Sequence, residues 1–251
     1  MPRPLRMLYV AGPGDVATTY AHWKAGRDDP SQVAMTYSGQ FYDVCKQLGA
    51  EALIISSSRN PGDVRDGPFR IIHRPILFSR RRGPLYHLGQ IWSGFRLTVS
   101  AARFGADVAV ISNGVHWLSL RAFPLMGIKV IPTLHCVFWP LAKPPSGLGG
   151  FVQRLNARFL RRHASAFLCA SSDVAEQLER LTGRTDVTVF MPTYRRETFD
   201  DPPPAPPATP PFRVMYAGRV ERNKGVFALL DIAKRFAADG RPEIEFDLCG
   251  R

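Results

Sequence analysis

Short apolar runs alternate with helix-periodic stripes from one end of the 251-residue chain to the other, and that alternation leaves few folds open. Residues 5–10, 51–56, 107–112, 129–134, 166–170 and 187–190 read as strands. Shorter strands at 70–73 and 76–78 are broken by Pro75, and Pro132 weakens the strand that contains it. Between them, Val33, Tyr37, Phe41, Val44 and Leu48 recur at helical spacing, opened by Ser31 and closed by Gly49. Leu88, Ile91, Trp92, Phe95 and Val99 form a second stripe, and 149–163 a third helix. Ser172 caps a fourth, with Asp173 and Glu176 in its positive first turn and Gly183 at its end. Residues 11–30, rich in Gly, Thr and Asp, read as a long loop. Strands alternating with helices mean βαβ units, hence an α/β, Rossmann-like parallel sheet with helices on both faces.

The pattern then breaks. Residues 202–211 hold seven prolines in ten, a composition that suits an extended spacer and no regular element. Beyond it the alternation restarts, with a strand at 212–217, a helix opened by Asn223 and stopped by Gly240, and a strand at 245–249. The expected organisation is a first domain over 1–200, a Pro-rich linker over 201–211 and a βαβ fragment over 212–251. A fragment of that size cannot bury both faces of its own sheet. The expectation is therefore an incomplete second domain, in a chain cut short relative to a two-domain parent.

Composition removes several classes. At 45% hydrophobic and 22% charged the chain is neither disordered nor fibrous. No apolar run approaches the roughly 18 residues of a membrane span, and the basic start leads into a strand instead of a signal-peptide core. The four cysteines are widely spaced with no CxxC, which points to neither a zinc ribbon nor a disulfide framework, and to a reducing compartment. The net charge is +12, and 27 of the 33 basic residues are arginine. Residues 59–103 alone carry nine Arg against two Asp, including Arg80, Arg81 and Arg82 in a row. Such a surface fits an anionic partner: nucleic acid, acidic lipid headgroups or a phosphate-bearing substrate. Nucleic acid is set aside, because no basic stripe interleaved with aromatics and no reader motif is present.

Three constellations could carry chemistry. Gly12-Pro13-Gly14-Asp15-Val16-Ala17 follows the first strand and matches G-x-G-x-x-G/A, but the second strand ends in Ser56-Ser57-Ser58 where a dinucleotide site needs an acid. A glycine-rich loop at a strand's C-terminal end is still a place where ligands bind in open α/β sheets. His135 directly follows the strand at 129–134, and Asn113 and His116 follow the strand at 107–112 at the same edge. His22, His73, His87 and His163 have no such placement and read as surface or packing residues. The third is Gly218-Arg219-Val220-Glu221-Arg222-Asn223-Lys224-Gly225, between a strand and a helix. Backbone amides and the helix dipole favour an anion there, and two cations beside it can clamp a diphosphate and stabilise a departing one.

That third segment, with Tyr216-Ala217 before it and Leu229-Leu230-Asp231-Ile232-Ala233 after it, resembles the donor-phosphate segment of GT-B glycosyltransferases of the family 4 (group 1) kind. Ser171-Ser172-Asp173-Val174-Ala175-Glu176-Gln177-Leu178 resembles a helix late in that family's N-terminal domain. Thr133-Leu134-His135 is similar to its strand-then-histidine segment, and the Gly12–Asp15 loop sits where its acceptor loop lies. The resemblance implies a GT-B N-terminal domain followed by the start of a nucleotide-sugar-binding domain. It implies retaining transfer of a sugar from a nucleotide-sugar, such as a UDP- or GDP-sugar, to a glycan or lipid-linked acceptor, with no metal and no other cofactor. No DxD-type metal motif is visible. By the same resemblance His135 contacts the transferred sugar, Arg219 and Lys224 bind the donor diphosphate, and Gly12, Gly14 and Asp15, with Asn113 and His116, contribute to substrate binding. The family's E-x7-E motif has no counterpart in these 251 residues. That leaves a second reading open, a non-catalytic acceptor- or membrane-binding module derived from a glycosyltransferase. The expected location is cytoplasmic, peripheral on the inner face of the membrane at an anionic surface.

Overall fold

Successive residues of the first strand point to opposite sides of a sheet, and both sides are buried. In the computed structural model, which describes residues 3–27, 29, 36–81, 83–112, 116–139, 145–190, 209–218, 220–241 and 243–250, β1 (Arg6–Ala11) sends Leu8 and Val10 into one apolar cluster and Met7 and Tyr9 into another. A strand buried on both faces is what an interior parallel strand under two helical layers requires. With β2 (Glu51–Ser56), β3 (Asp63–Asp66), β4 (Phe69–His73), β5 (Val108–Ser112), β6 (Lys129–Leu134), β7 (Phe167–Cys169) and β8 (Val187–Val189) it forms an eight-stranded sheet, ordered β3-β4-β2-β1-β5-β6-β7-β8. Every neighbouring pair is parallel except β3 and β4.

Helices α1 (Val16–Lys24) and α2 (Tyr37–Leu48) bring Tyr20, Phe41 and Tyr42 to one cluster. Helices α3 (Pro84–Phe104), α4 (Ala122–Leu125), α5 (Gly147–His163) and α6 (Ser172–Thr182) bring Leu97, Phe123, Leu160 and Leu178 to the other. The expected parallel sheet covered on both faces is what the chain forms.

Several local expectations change. The stretch 11–30 contains α1, capped by Asp15, whose carboxylate accepts the Thr18 N–H. Its periodicity is faint because so short a helix buries only Val16 and Tyr20. Ser31, the expected cap of the next helix, lies outside the described residues; α2 begins at Tyr37, with Thr36 accepting from the Gly39 N–H. Residues 76–78 form no strand. Pro75 lacks a donor, and the β2–β4 ladder ends where Ser56 meets His73. The cap of α6 is Ser171, not Ser172. Pro132 does not exclude its segment from the sheet: β6 is an interior strand that gives up one ladder bond.

The largest change concerns α3. Its apolar stripe faces outward: Leu88, Ile91, Trp92 and Phe95 are all about half exposed. Gly89, Gln90, Gly94, Leu97 and Ala101 are buried instead. Close packing selects the small residues, because a Cβ at Gly89 would lie 1.9 Å from the Leu77 carbonyl oxygen and one at Gly94 2.4 Å from the Ser119 Cβ.

The chain divides into two compact units, Met1–Arg195 and Arg196–Arg251. The expected linker at 201–211 lies largely outside the described residues. In the second unit β9 (Phe212–Ala217) and β10 (Ile244–Cys249) pair in parallel, joined by α7 (Val226–Ala238). A short 3-10 turn, Arg222–Lys224, precedes α7, which is capped by Gly225 at φ +79° and so starts later than Asn223. Among the described residues of this unit only Val226 belongs to the buried hydrophobic residues, while Met215, Phe227 and Ile232 are exposed.

Candidate functional site

In a parallel sheet all C-terminal strand ends share one edge. Val10 of β1 pairs with Ile111 of β5, and Ile111 with Pro132 of β6. Gly12 therefore leaves the sheet at nearly the same level as the β5 loop and His135, across two strand spacings, about 10 Å in all. Asn113 lies outside the described residues, but His116 follows on the same loop. The register thus brings the Gly12–Asp15 loop, His116 and His135 to one edge.

The glycine loop is tied to the neighbouring strand. The Ser56 hydroxyl, fully buried, lies 2.6 Å from the Gly14 carbonyl oxygen and 3.0 Å from that of Gly12, and accepts from the Ser58 N–H at 2.9 Å. The first amides of α1 are already served, Thr18 by the Asp15 carboxylate, Ala17 by His73 and Val16 by the Gly14 carbonyl, so a pyrophosphate would find them taken. With Ser56 where the ribose-binding acid would stand, the dinucleotide motif is one in sequence only.

Asp15 also accepts from the Asn60 Nδ2 at 3.0 Å. Burial pushes its carboxyl pKa up, but bonds from Asn60 and Thr18, with His73 nearby, outweigh that and hold it below the usual carboxylate range. His73, read from sequence as a surface or packing residue, is buried and ties this corner together. Its side chain is 1% exposed. Nε2 accepts the Ala17 N–H at 3.3 Å, so Nδ1 carries the proton and donates to the Asn60 carbonyl at 2.8 Å. Both nitrogens are thus engaged, and Asp15 Oδ1 lies 3.7 Å from Nε2. Pro13, Asp15, Ser58, Arg59, Asn60 and Ser79 line a cleft over this corner.

His135 stands exposed at the end of β6 with its ring flanked edge-on by Tyr37 at 5.1 Å and Phe190 at 5.5 Å. Tyr37 and Phe190 lie 5.2 Å from each other, so both crowd the same side of the imidazole. The burial lowers its pKa and favours the neutral imidazole. Tyr37 is held in turn by the Thr133 hydroxyl at 3.1 Å. The loop after His135 is clamped by Gln177 of α6, whose Oε1 accepts from the N–H groups of Phe138 and Trp139 while its Nε2 donates to the Trp139 carbonyl. Gln177 is buried beside Val174 and Leu178. A polar residue on the apolar face of an amphipathic helix was the one signal that could have marked it.

His116 pairs with His87, Nε2 to Nδ1 at 2.8 Å, with the rings stacked 5.0 Å apart. Burial first, then His87, lowers its pKa. Among the described residues no three metal-ligating side chains gather in one place.

In the second unit Arg219 lies outside the described residues. Lys224 is exposed at the end of the 3-10 turn, directly before the N-terminus of α7. The backbones of Gly218 and Gly250 approach so closely that a Cβ at Gly250 would lie 1.9 Å from the Gly218 carbonyl oxygen.

Comparison with known proteins follows this geometry. No curated protein matches the chain. Sucrose-phosphate synthase from Thermosynechococcus elongatus superposes with a TM-score of 0.60 at 16% identity, over 98% of this chain and 62% of that one. α,α-Trehalose 6-phosphate synthase from Burkholderia multivorans gives 0.61 at 12%, over 99% and 65%. Anabaena HepE in complex with UDP-glucose gives 0.53 at 12%, over 98% and 70%. The chain thus spans less than two thirds of the first two structures, and the likeness is one of fold. The family model described as Glycosyltransferase Family 4 matches residues 40–193, more than half of the sequence. The chain belongs to Glycosyltransferase Family 4.

Proposed function

We propose that this chain carries the acceptor-side domain and the opening βαβ segment of the donor-side domain of a retaining, metal-independent glycosyltransferase, moving a sugar from a nucleotide-sugar to a glycan or lipid-linked acceptor. The observation that carries the reading is the shared sheet edge, where the glycine loop, His116 and His135 follow neighbouring parallel strands. That edge is where open α/β sheets bind ligands. The neutral His135, exposed at the end of β6, can hydrogen-bond a sugar hydroxyl near the reacting carbon. The cleft over Asp15, Asn60 and Arg59 is polar enough to take an acceptor.

Lys224, with Arg219 before it, meets the donor diphosphate and offsets the charge of the departing nucleotide. HepE was solved with UDP-glucose, which supports a UDP-sugar as the first donor to try. The basic stretch 59–103 supports a cytoplasmic, membrane-peripheral setting for a lipid-linked acceptor.

The test is nucleotide release from a panel of UDP- and GDP-sugars in the presence of glycan and lipid-extract acceptors. Release that depends on acceptor, and falls strongly in both Lys224→Ala and Arg219→Ala, is the expected result. Release unchanged in both variants, or absent with every donor, overturns the reading.

A further inference from the structure

Helix α3 is packed the unusual way round. Its buried face carries Gly89, Gly94 and Ala101 beside Gln90 and Leu97, while Leu85, Leu88, Ile91, Trp92 and Phe95 stand 47–56% exposed at i, i+3 and i+4 spacing. Trp92 and Phe95 stack on each other at 5.6 Å. In the loop before the helix Leu77 and Phe78 are also exposed, and a Cβ at Gly89 would lie 1.9 Å from the Leu77 carbonyl oxygen and 3.7 Å from the Phe78 Cβ, so loop and helix are in direct contact. Phe78 holds φ at +57°, a costly conformation for an aromatic residue, and is nearly half exposed. Scattered exposed apolar residues need no explanation, but a continuous apolar face does.

The charge around the face says what covers it. From residue 67 to residue 106 there is no Asp or Glu, and there are seven arginines. Arg80 and Arg81 are exposed beside Phe78, and Arg103 is exposed at the far end of α3. Aliphatic and aromatic side chains flanked by exposed arginines, in a stretch without acids, suit the boundary between anionic headgroups and acyl chains. A second copy of the chain suits it poorly, because a two-fold interface would set these arginines against one another.

We infer that the outer face of α3, with the Leu77–Phe78 loop, inserts into the headgroup boundary of an anionic bilayer. The helix lies in the interface plane and does not span; among the described residues no helix is long and apolar enough to cross. The cleft that holds Arg59 and Ser79 adjoins this loop, so docking would present the candidate acceptor site to the membrane surface. The inference rests on the membrane-peripheral setting proposed above and names the face that makes the contact; it does not depend on sugar transfer.

The full chain is floated with phosphatidylcholine vesicles, with and without phosphatidylglycerol, in the absence of any nucleotide-sugar. Binding to the mixed vesicles is expected, weakened but not abolished by salt, with a blue shift of tryptophan fluorescence that Trp92→Phe removes. Trp92→Ser with Phe95→Ser, both at exposed positions, should cut binding by about tenfold or more. An unchanged thermal midpoint shows that the variants fold, and a second pair, Leu88→Ser with Ile91→Ser, repeats the test if they do not. Binding that is lost on Arg80→Ser with Arg81→Ser but indifferent to both apolar pairs makes the contact purely electrostatic and overturns insertion. No binding to mixed vesicles overturns the proposal, as does a dimer that the apolar substitutions dissolve. Because no donor is present, these outcomes are separate from those of the nucleotide-release assay.

Discussion

The Ser56 hydroxyl lies 2.6 Å from the carbonyl oxygen of Gly14, and this bond fastens the end of β2 to the loop that follows β1. The hydroxyl also receives the Ser58 N–H, so a single buried oxygen serves both loops. Ser56→Ala should cost about 1–3 kcal/mol, because it leaves buried backbone groups unpaired. Urea unfolding measures the loss; a midpoint equal to that of the parent protein would show that water replaces the hydroxyl.

Asp15 sets an acid limit at the same corner. Its folded pKa lies below the unfolded value, so its contribution is present above the ordinary carboxylate pKa and fades as pH falls through the folded one. Asp15→Asn keeps a capping oxygen but loses the charge. The variant should be less stable near neutrality and should lose less stability on acidification below about pH 4. Thermal melts over that range check the slope.

His116 and His135 act one step higher in pH. Both folded pKa values lie below the ordinary histidine value. The unfolded chain therefore takes up protons first, and stability should fall as pH drops through about 6.5. His116→Asn with His135→Asn should flatten that slope. His135→Ala alone should lower sugar transfer on the order of 10²-fold with little effect on folding, the magnitude of one lost polar contact at a reacting centre.

Gln177 reaches the site through the loop it clamps. Gln177→Leu preserves bulk but strands the N–H groups of Phe138 and Trp139, which should cost about 1–3 kcal/mol. Hydrogen exchange at those two amides should quicken, while exchange in the centre of β1 stays slow. Equal protection in both proteins would remove Gln177 from its positioning role.

Gly89→Ala tests the packing that turns α3 outward. The added methyl would overlap the Leu77 carbonyl oxygen, and the loop must move or the helix must lift. The expected cost is about 1–3 kcal/mol, read as a lower thermal midpoint. Glu176→Ala, at the exposed end of an i,i+4 ion pair with Arg180, should change it far less.

Much of the fold could be read directly from residues. Double-sided burial makes an interior strand apolar throughout, as in Glu51-Ala-Leu-Ile-Ile-Ser56, and that run coincides with β2 to the residue. Gly49 and Gly183 ended their helices as expected, because each adopts the left-handed conformation that other residues resist. The antiparallel edge strand β3 was missed, since Asp63-Val-Arg-Asp66 is exposed and carries no apolar run. The edge position of His135 followed from strand order alone, while its partners Tyr37 and Phe190 come from segments far away in sequence.

Sequence by itself determined the alternation, the parallel sheet and which residues share each helical face, because those follow from local periodicity and chain connectivity. Tertiary structure alone decided which face of α3 turns inward and what His73 does. Periodicity groups Leu88, Ile91, Trp92 and Phe95 on one side but is silent about where the neighbouring backbone lies. The Leu77 carbonyl leaves room only for Gly89, so the small residues went in and the large apolar ones stayed out. His73 likewise became a tie between Ala17 and Asn60 only when β4 ended beside the loop after β1.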